Sequence, residues 1–359
     1  VLSSLGTGKV PGTVPDFTVD CEPDDMCVVL YTGGTTGLPK GAMLTHQNLL
    51  YTSQNVGFHE RLIPGDTILC FMPLNHVFAS NHIMNAGLYN CGTIVLHRGF
   101  DMDEIVSSIQ SNQITRMYAV PTVYIRLLNN PDCYTCLASI RYSFSAATSM
   151  PSEIVRQWHD TFGLNIHEAY GMTETASLVT YNHIFRHKIG SVGTPAGIVE
   201  VKIVDSDGKE VPSGEEGEIL IRGPNVMKGY LNNPEETAHA IVGGWLHSGD
   251  LGRFDESEYL YIVDRLKDLI ISGGLNIFPR EGEEIIYPHE AIEECSVIGL
   301  SHREYGEAVT AFVRLKKDQN PITEQDLIRF CKERMASYKA PKNVHFVEDF
   351  PRTPQGKIL

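Results

Sequence analysis

Positive charge is scarce in this chain. Its 29 Lys and Arg residues stand against 44 Asp and Glu, a formal net charge of −15. That balance argues against a nucleic-acid backbone as partner, which would call for a basic face. It leaves open a compact anion held in a local pocket. Long apolar runs are missing too: no stretch suffices to span a bilayer and no signal peptide is evident. Any membrane contact would therefore be peripheral. Of eight cysteines only Cys133 and Cys136 lie close together, and no second pair stands at zinc-like spacing. Reduced cysteines in a cytoplasmic protein are the simpler reading. Internal repeats and low-complexity segments are absent.

What remains is an ordinary globular composition. The 359 residues, 42% hydrophobic and 20% charged, read as a soluble protein with room for two domains. The first two-thirds alternate strand-like and helix-like stretches. "MCVVLYT", "TILCFMPL", "GTIVLH" and "ITRMYAV" read as strands. Thr45 is placed to cap a helix through "HQNLLYTSQNV", Asp101 with Glu104 forms a capping box, and Pro121 opens another segment. Such alternation predicts a mostly parallel, helix-covered sheet. From Val199 onward β-type runs are broken by Asp-Gly and Ser-Gly turns, and "NNPEET" offers Asn233 as cap with Pro234 at the first helical position. The last hundred residues order as helix, strand, strand, helix, strand. Leu327, Ile328, Cys331 and Met335 share one helical face there, and Thr323 with Asp326 forms a capping box. A boundary near Val263–Asp268 follows, which divides the chain into 1–264 and 265–359.

"YTGGTTGLPKG" (Tyr31 to Gly41) invites comparison with a phosphate loop. It is not a Walker A motif. Pro39 stands where that motif needs its last glycine, and Gly41 where it needs a magnesium-binding hydroxyl. Its chemistry is still that of phosphate binding. Glycines let backbone N–H groups approach an anion, threonines add donors, and Lys40 adds charge.

The loop resembles the signature of the adenylate-forming superfamily, which includes acyl-CoA synthetases, firefly-type luciferases and peptide adenylation domains. "YGMTET", "GEILIRGPNVMKGYLNNPEET", "GWLHSGDLG", "YIVDRLKDLIISGG" and "PRTPQGK" follow in the family's order. The likeness covers essentially the whole chain. It implies an α/β protein, with a large N-terminal domain of helix-covered sheets plus a small distorted β-barrel, and a small mobile α+β C-terminal domain. It also implies two half-reactions. A carboxylate attacks the α-phosphate of ATP, releasing pyrophosphate and giving an acyl-adenylate. The thiol of CoA then displaces AMP. Mg²⁺ and neutralised phosphate charge belong to the first step.

By this resemblance the loop residues Thr32, Gly33, Gly34, Thr35, Thr36, Gly37 and Lys40 cradle the β- and γ-phosphates. Glu168, Ala169, Tyr170 and Gly171, with Ala147 and Ile262, line the nucleotide site, and Tyr170 stacks on adenine. Thr173 reaches the α-phosphate. Glu174 binds Mg²⁺, which prefers oxygen ligands. Asp250 and Arg265 hold the ribose hydroxyls. Lys267 is the hinge, and Lys357 bridges carboxylate and phosphate oxygens during adenylation. After rotation of the small domain, Gly273 and Gly274 lie along the pantetheine arm. His76, in "PLNHVFASNH", stands near the acyl carboxylate or the thiol entrance. No aspartate occupies the place that anchors a substrate ammonium group in amino-acid-activating members. An uncharged acyl tail is implied, with a medium- or long-chain fatty acid as the first candidate.

Some positions depart from the family pattern. Gly33 stands where many members have serine. Ala146 and Ala147 replace glycines in "SFSAATSM". Gly282 occupies a helical position that is aliphatic in relatives, at a cost of roughly 1 kcal/mol in propensity besides lost packing. Only thirty residues precede the signature loop, so part of the large domain's sheet and acyl tunnel is expected to lie outside this chain, leaving exposed apolar faces and low stability. Two other readings stay open. One is an adenylating enzyme with a different second step, luciferase-like or to a carrier protein. The other is a nucleotide-binding fragment without catalysis.

Overall fold

The computed structural model describes residues 20–33, 39–130, 134–146, 148, 150–266, 268–316, 322–353 and 358. Four sheets organise them. The largest has the order β4-β3-β5-β6-β7-β8-β9. Its strands are β3 (Thr67–Cys70), β4 (Thr93–Leu96), β5 (Arg116–Ala119), β6 (Tyr142–Ser145), β7 (Ile166–Tyr170), β8 (Thr180–Tyr181) and β9 (Thr194–Pro195). Pairing is parallel from β4 to β7 and antiparallel thereafter. This is the helix-separated parallel sheet that the alternation predicted. α1 (His46–Glu60), α2 (Ala86–Tyr89), α3 (Met102–Ser111), α4 (Pro121–Leu128) and α5 (Ser152–Phe162) connect the strands. Around them packs one buried cluster that includes Ile68, Leu69, Tyr118, Tyr124, Phe144 and Trp158.

Local sequence explains the helix starts. Thr45 accepts from the Asn48 N–H while the Asn48 side chain accepts from the Thr45 N–H, a reciprocal cap. Asp101 accepts from the Glu104 N–H. Pro121 stands at the first position of α4, where its missing N–H costs nothing. On the outer strand β4, Leu96 is exposed, as are Leu88 and Tyr89 of α2 and Leu50 and Phe58 of α1. Apolar surface is thus exposed on this side of the sheet.

Two antiparallel sheets adjoin the carboxyl ends of that sheet. One joins β1 (Met26–Gly33), β2 (Pro39–Thr45) and β12 (Gly229–Tyr230). The other has β10 (Glu200–Val204), β11 (Gly217–Arg222), β13 (Ile241–Val242), β14 (Trp245–Phe254) and β15 (Leu260–Arg265). Asn233 caps α6 (Pro234–Ala240) beside them through the Glu236 N–H. These sheets share a second cluster with Leu44, Tyr170, Ile219 and Leu260.

A third cluster lies wholly within Ile270 to Val344. Its sheet contains β16 (Ile270–Ser272), β17 (Leu275–Ile277), β18 (Ile292–His302), β19 (Gly306–Leu315) and β20 (Asn343–Phe346), covered by α7 (Pro279–Ile286) and α8 (Glu324–Lys332). The β16–β17 hairpin is absent from the sequence reading. It turns on Gly273 and Gly274, whose φ values of 60° and 80° favour glycine. Leu327, Ile328 and Cys331 are buried as the helical face required. Met335 packs against the same cluster from beyond the end of α8. Gly282 leaves no packing hole: a Cβ there would come within 3.2 Å of Val297 Cγ2, so the glycine lets α7 lie close on β18. Among the described residues, no helix is long and apolar enough to cross a membrane.

Candidate active site

In an open α/β sheet, ligands gather at the carboxyl ends of the parallel strands. β7 ends there at Tyr170. The chain then turns through Gly171 into a short helix, Thr173–Thr175. The turn is tight: a Cβ on Gly171 would stand 2.1 Å from the Ser177 carbonyl oxygen. The turn's exit is strained as well, with Ala176 at φ 51° and Ser177 at φ 89°. The Met172 N–H donates to Thr175 Oγ1 at 3.0 Å, and the Met227 N–H donates to the Glu174 carbonyl at 2.8 Å. These contacts hold the Glu174 side chain inward, only 7% exposed.

The β1-β2-β12 sheet supplies what surrounds that carboxylate. Tyr230 Oη donates to Glu174 Oε1 at 2.9 Å, and Thr32 Oγ1 reaches the same oxygen at 3.4 Å. Burial and the Glu174 charge push the Tyr230 phenol well above its ordinary range, so it stays a donor. Lys40 pairs with Glu236 of α6, and its ammonium lies 5.4 Å above the Tyr230 ring. Strand pairing brings these groups together, because Thr32 stands opposite Lys40 and Tyr230 opposite Ala42.

Asp250 marks the other side of the turn. Tyr170 Oη donates to Asp250 Oδ2 at 2.6 Å, and Arg265 Nε lies 3.3 Å from Asp250 Oδ1. Asp250 and Arg265 are direct partners across β14 and β15. Asp250 is nearly buried while Arg265 is 43% exposed, which leaves the guanidinium room to approach a ligand. The Tyr170 phenol is held neutral by burial and the Asp250 charge.

Other predicted residues occupy a second tier. Glu168 is buried in β7, with Oε1 lacking a hydrogen-bond partner. Burial pushes its carboxyl up to about 8, against the opposing charge of Arg280. Ala169 pairs with Tyr181 of β8. The Ile262 carbonyl accepts from Arg280 Nη1 at 2.5 Å. His76 is half-buried, and its Nδ1 accepts from the Phe78 N–H at 3.2 Å. Gly273 and Gly274 lie exposed at the tip of the small-domain hairpin and are not gathered with Glu174. Gly34, Thr35, Thr36, Gly37, Ala147, Lys267 and Lys357 lie outside the described residues. The sequence reading missed Tyr230, Glu236 and Arg280. Tyr230 and Glu236 stand inside a quoted motif, "GPNVMKGYLNNPEET", yet only strand pairing shows what they face.

The donor set suits a magnesium nucleotide. Glu174 presents a buried carboxylate, and among the described residues both its donors go to Oε1, leaving Oε2 for a hard cation. Asp250 presents a carboxylate, an acceptor suited to vicinal hydroxyls, beside the turn that Gly171 allows to fold tightly on Ser177.

Comparison with known proteins agrees with this geometry. The "AMP-binding enzyme" family matches residues 5–231, and "AMP-binding enzyme C-terminal domain" matches residues 281–357. A feruloyl-CoA synthase of Amycolatopsis sp is 39% identical over 96% of this chain and 70% of its own length. A long-chain-fatty-acid–CoA ligase of Bacillus subtilis is 39% identical over 93% of this chain and 60% of its own length. ATP-bound MatB from Rhodopseudomonas palustris superposes with a TM-score of 0.89 at 36% identity, covering 95% of this chain and 68% of that one. On the strength of these matches, the chain belongs to the AMP-binding enzyme family, among the adenylate-forming acyl-CoA ligases.

Proposed function

We propose that this ligase activates a monocarboxylic acid with an uncharged tail, with fatty acids as the first candidates. The reaction is the family's: the acid becomes an acyl-adenylate on ATP, pyrophosphate leaves, and the acyl group passes to CoA. The observation that carries the reading is one turn, Tyr170–Glu174, with an oxygen-rich cation site on one side and a Tyr170–Asp250–Arg265 cluster on the other.

Each residue has a part. The Tyr170 ring lies along the adenine while its hydroxyl stays on Asp250. Asp250 and Arg265 orient the ribose hydroxyls. Thr173 donates to the α-phosphate, and Thr32 and Lys40 serve the departing phosphates with Gly33, Gly34, Thr35, Thr36 and Gly37. Glu174 holds Mg²⁺, which when bound supplies positive charge to the phosphate oxygens. Ala147, Glu168, Ala169, Gly171 and Ile262 shape the nucleotide pocket. Lys357 completes the first half-reaction. Rotation at Lys267, between units 1–264 and 265–359, then brings Gly273 and Gly274 to the CoA arm near His76.

The uncharged tail has physical support in the buried carboxylates. Glu60 is buried, accepts from Tyr118, Tyr181 and His82 and lies 3.7 Å from Arg116 Nη1, so its charge is already met within the fold. Glu168 is neutral near pH 7. An aryl acid is the second reading, favoured by the likeness to the feruloyl-CoA synthase. A cytoplasmic location fits the free thiols of Cys21, Cys27, Cys70, Cys91, Cys295 and Cys331.

Carboxylate-dependent exchange of pyrophosphate into ATP, run with decanoate, palmitate, ferulate and alanine, tests the proposal. Exchange with an uncharged acid and none with alanine is expected. Preference for alanine would overturn it. Product analysis without CoA separates a luciferase-like or carrier-protein second step, and nucleotide binding without exchange would mark a non-catalytic chain.

A further inference from the structure

The seam between the small domain and α4 holds a charged cluster that the nucleotide site does not use. Arg352 Nη1 donates to Thr122 Oγ1 at 2.9 Å and to Glu294 Oε1 at 3.1 Å, and Arg352 Nη2 donates to Glu294 Oε2 at 2.6 Å. Thr122 Oγ1 donates to Glu294 Oε1 at 3.2 Å. Arg314 adds a second guanidinium 3.3 Å from Glu294. Thr122 is 8% exposed and Glu294 2%. Tyr287 beside them packs against both the large-domain and the small-domain clusters.

Glu294, Arg314 and Arg352 all belong to the small domain, so their ion pairs move with it. Thr122 is the separable partner, standing at the start of α4 where the parallel sheet presents its ligand-binding end. When the domains dock, Glu294 loses water and the Thr122 hydroxyl helps replace it. When they part, Glu294 regains water and nothing buried is left unpaired. The contact therefore favours the docked arrangement alone. Arg352 also pairs through its backbone with Ile358, the residue after Lys357. The chain superposes on ATP-bound MatB with a TM-score of 0.89 and on apo MatB with 0.78, at equal coverage.

We propose that Thr122 is a positioning residue for acyl-adenylate formation, docking the small domain through Arg352 and Glu294 in the orientation of the first half-reaction. This deepens the function proposed above and rests on the adenylation role of "PRTPQGK". Two readouts keep the two ideas distinguishable. In the first, Thr122→Val lowers pyrophosphate exchange about tenfold through kcat, with KM for ATP little changed. It leaves thioester formation from supplied decanoyl-AMP within about twofold, and Thr122→Ser restores exchange. Equal loss in both half-reactions overturns the proposal.

The second readout needs no turnover. Spin labels on exposed positions 107 of α3 and 325 of α8, with the exposed Cys21, Cys27 and Cys91 replaced, report domain spacing in ATP and Mg²⁺. Thr122→Val should move a large share of molecules away from the docked distance, and Thr122→Ser should return them. An unchanged distance distribution refutes the docking role whatever the activity. Failure of the unsubstituted chain to activate any acid refutes the function, while the label distances still decide the role of Thr122.

Discussion

Glu174 shows how one side chain acquires its chemistry. A lone glutamate at a helix start is ordinarily solvated, but here the Gly171 turn and the β12 strand bury it against the Tyr230 hydroxyl. Glu174→Gln keeps the shape and removes the charge. Pyrophosphate exchange should fall about 10²- to 10³-fold, with an unfolding midpoint within a degree or two of the parent. An undiminished rate would remove Glu174 from the cation site. Gly171→Ala tests the turn itself: a contact of 2.1 Å with the backbone at Ser177 forces a shift, at a cost of about 1–3 kcal/mol. Denaturant unfolding measures it, and no loss would mean that the turn relaxes freely. Gly171 and Glu174 were legible as candidates because their motif is short and contiguous. Tyr230 and Arg280 were not, since each acts on a group far away in the chain.

Helix caps were the most legible feature at the scale of elements. Thr45, Asn233 and Thr323 cap as read, and Asp101 caps through the Glu104 N–H without the reciprocal half of the expected box, because a cap is decided by residues three apart. Thr45→Ala removes the hydroxyl that accepts from the Asn48 N–H in a buried reciprocal cap on α1, and keeps the backbone N–H that donates to Asn48 Oδ1. It should lower stability by about 1 kcal/mol, visible as a smaller denaturation midpoint, and an unchanged midpoint would show α1 held by packing alone. The β16–β17 hairpin was invisible because three-residue strands carry too little pattern. Gly282 was misjudged for a related reason. Helix propensity is local, whereas the 3.2 Å approach of Val297 belongs to the packing of α7 on β18.

Buried ionisable groups tie the stability of the whole molecule to pH. Burial lowers His59 and His167 from about 6.5 to about 4. Each stays neutral in the fold while the unfolded chain protonates, so each withdraws stability as pH falls from 6.5 towards 4. Glu168, raised to about 8, acts in the opposite sense: its contribution is whole below about 4.5 and is lost as pH rises to 8. Glu283, raised to about 7, adds to it. The two pairs oppose each other between pH 4.5 and 6.5, so the carboxyls decide the alkaline side. Glu168→Gln should leave urea stability unchanged at pH 4.5 and raise it by a few kcal/mol, at the order of magnitude of ~1.4 per pH unit, at pH 8.5. Equal effects at both values would refute the linkage.

Sequence by itself determined the chemistry class, the parallel sheet and the helix starts. Each of these depends on neighbours within a few positions or on a contiguous motif. Tertiary structure alone decided that Tyr230 faces Glu174, that Glu60 meets Tyr118, Tyr181 and His82, and that Thr122 meets Arg352 across 230 residues of chain. Those contacts form because packed sheets and helices carry distant residues into one dry place, where every buried charge must find its donors.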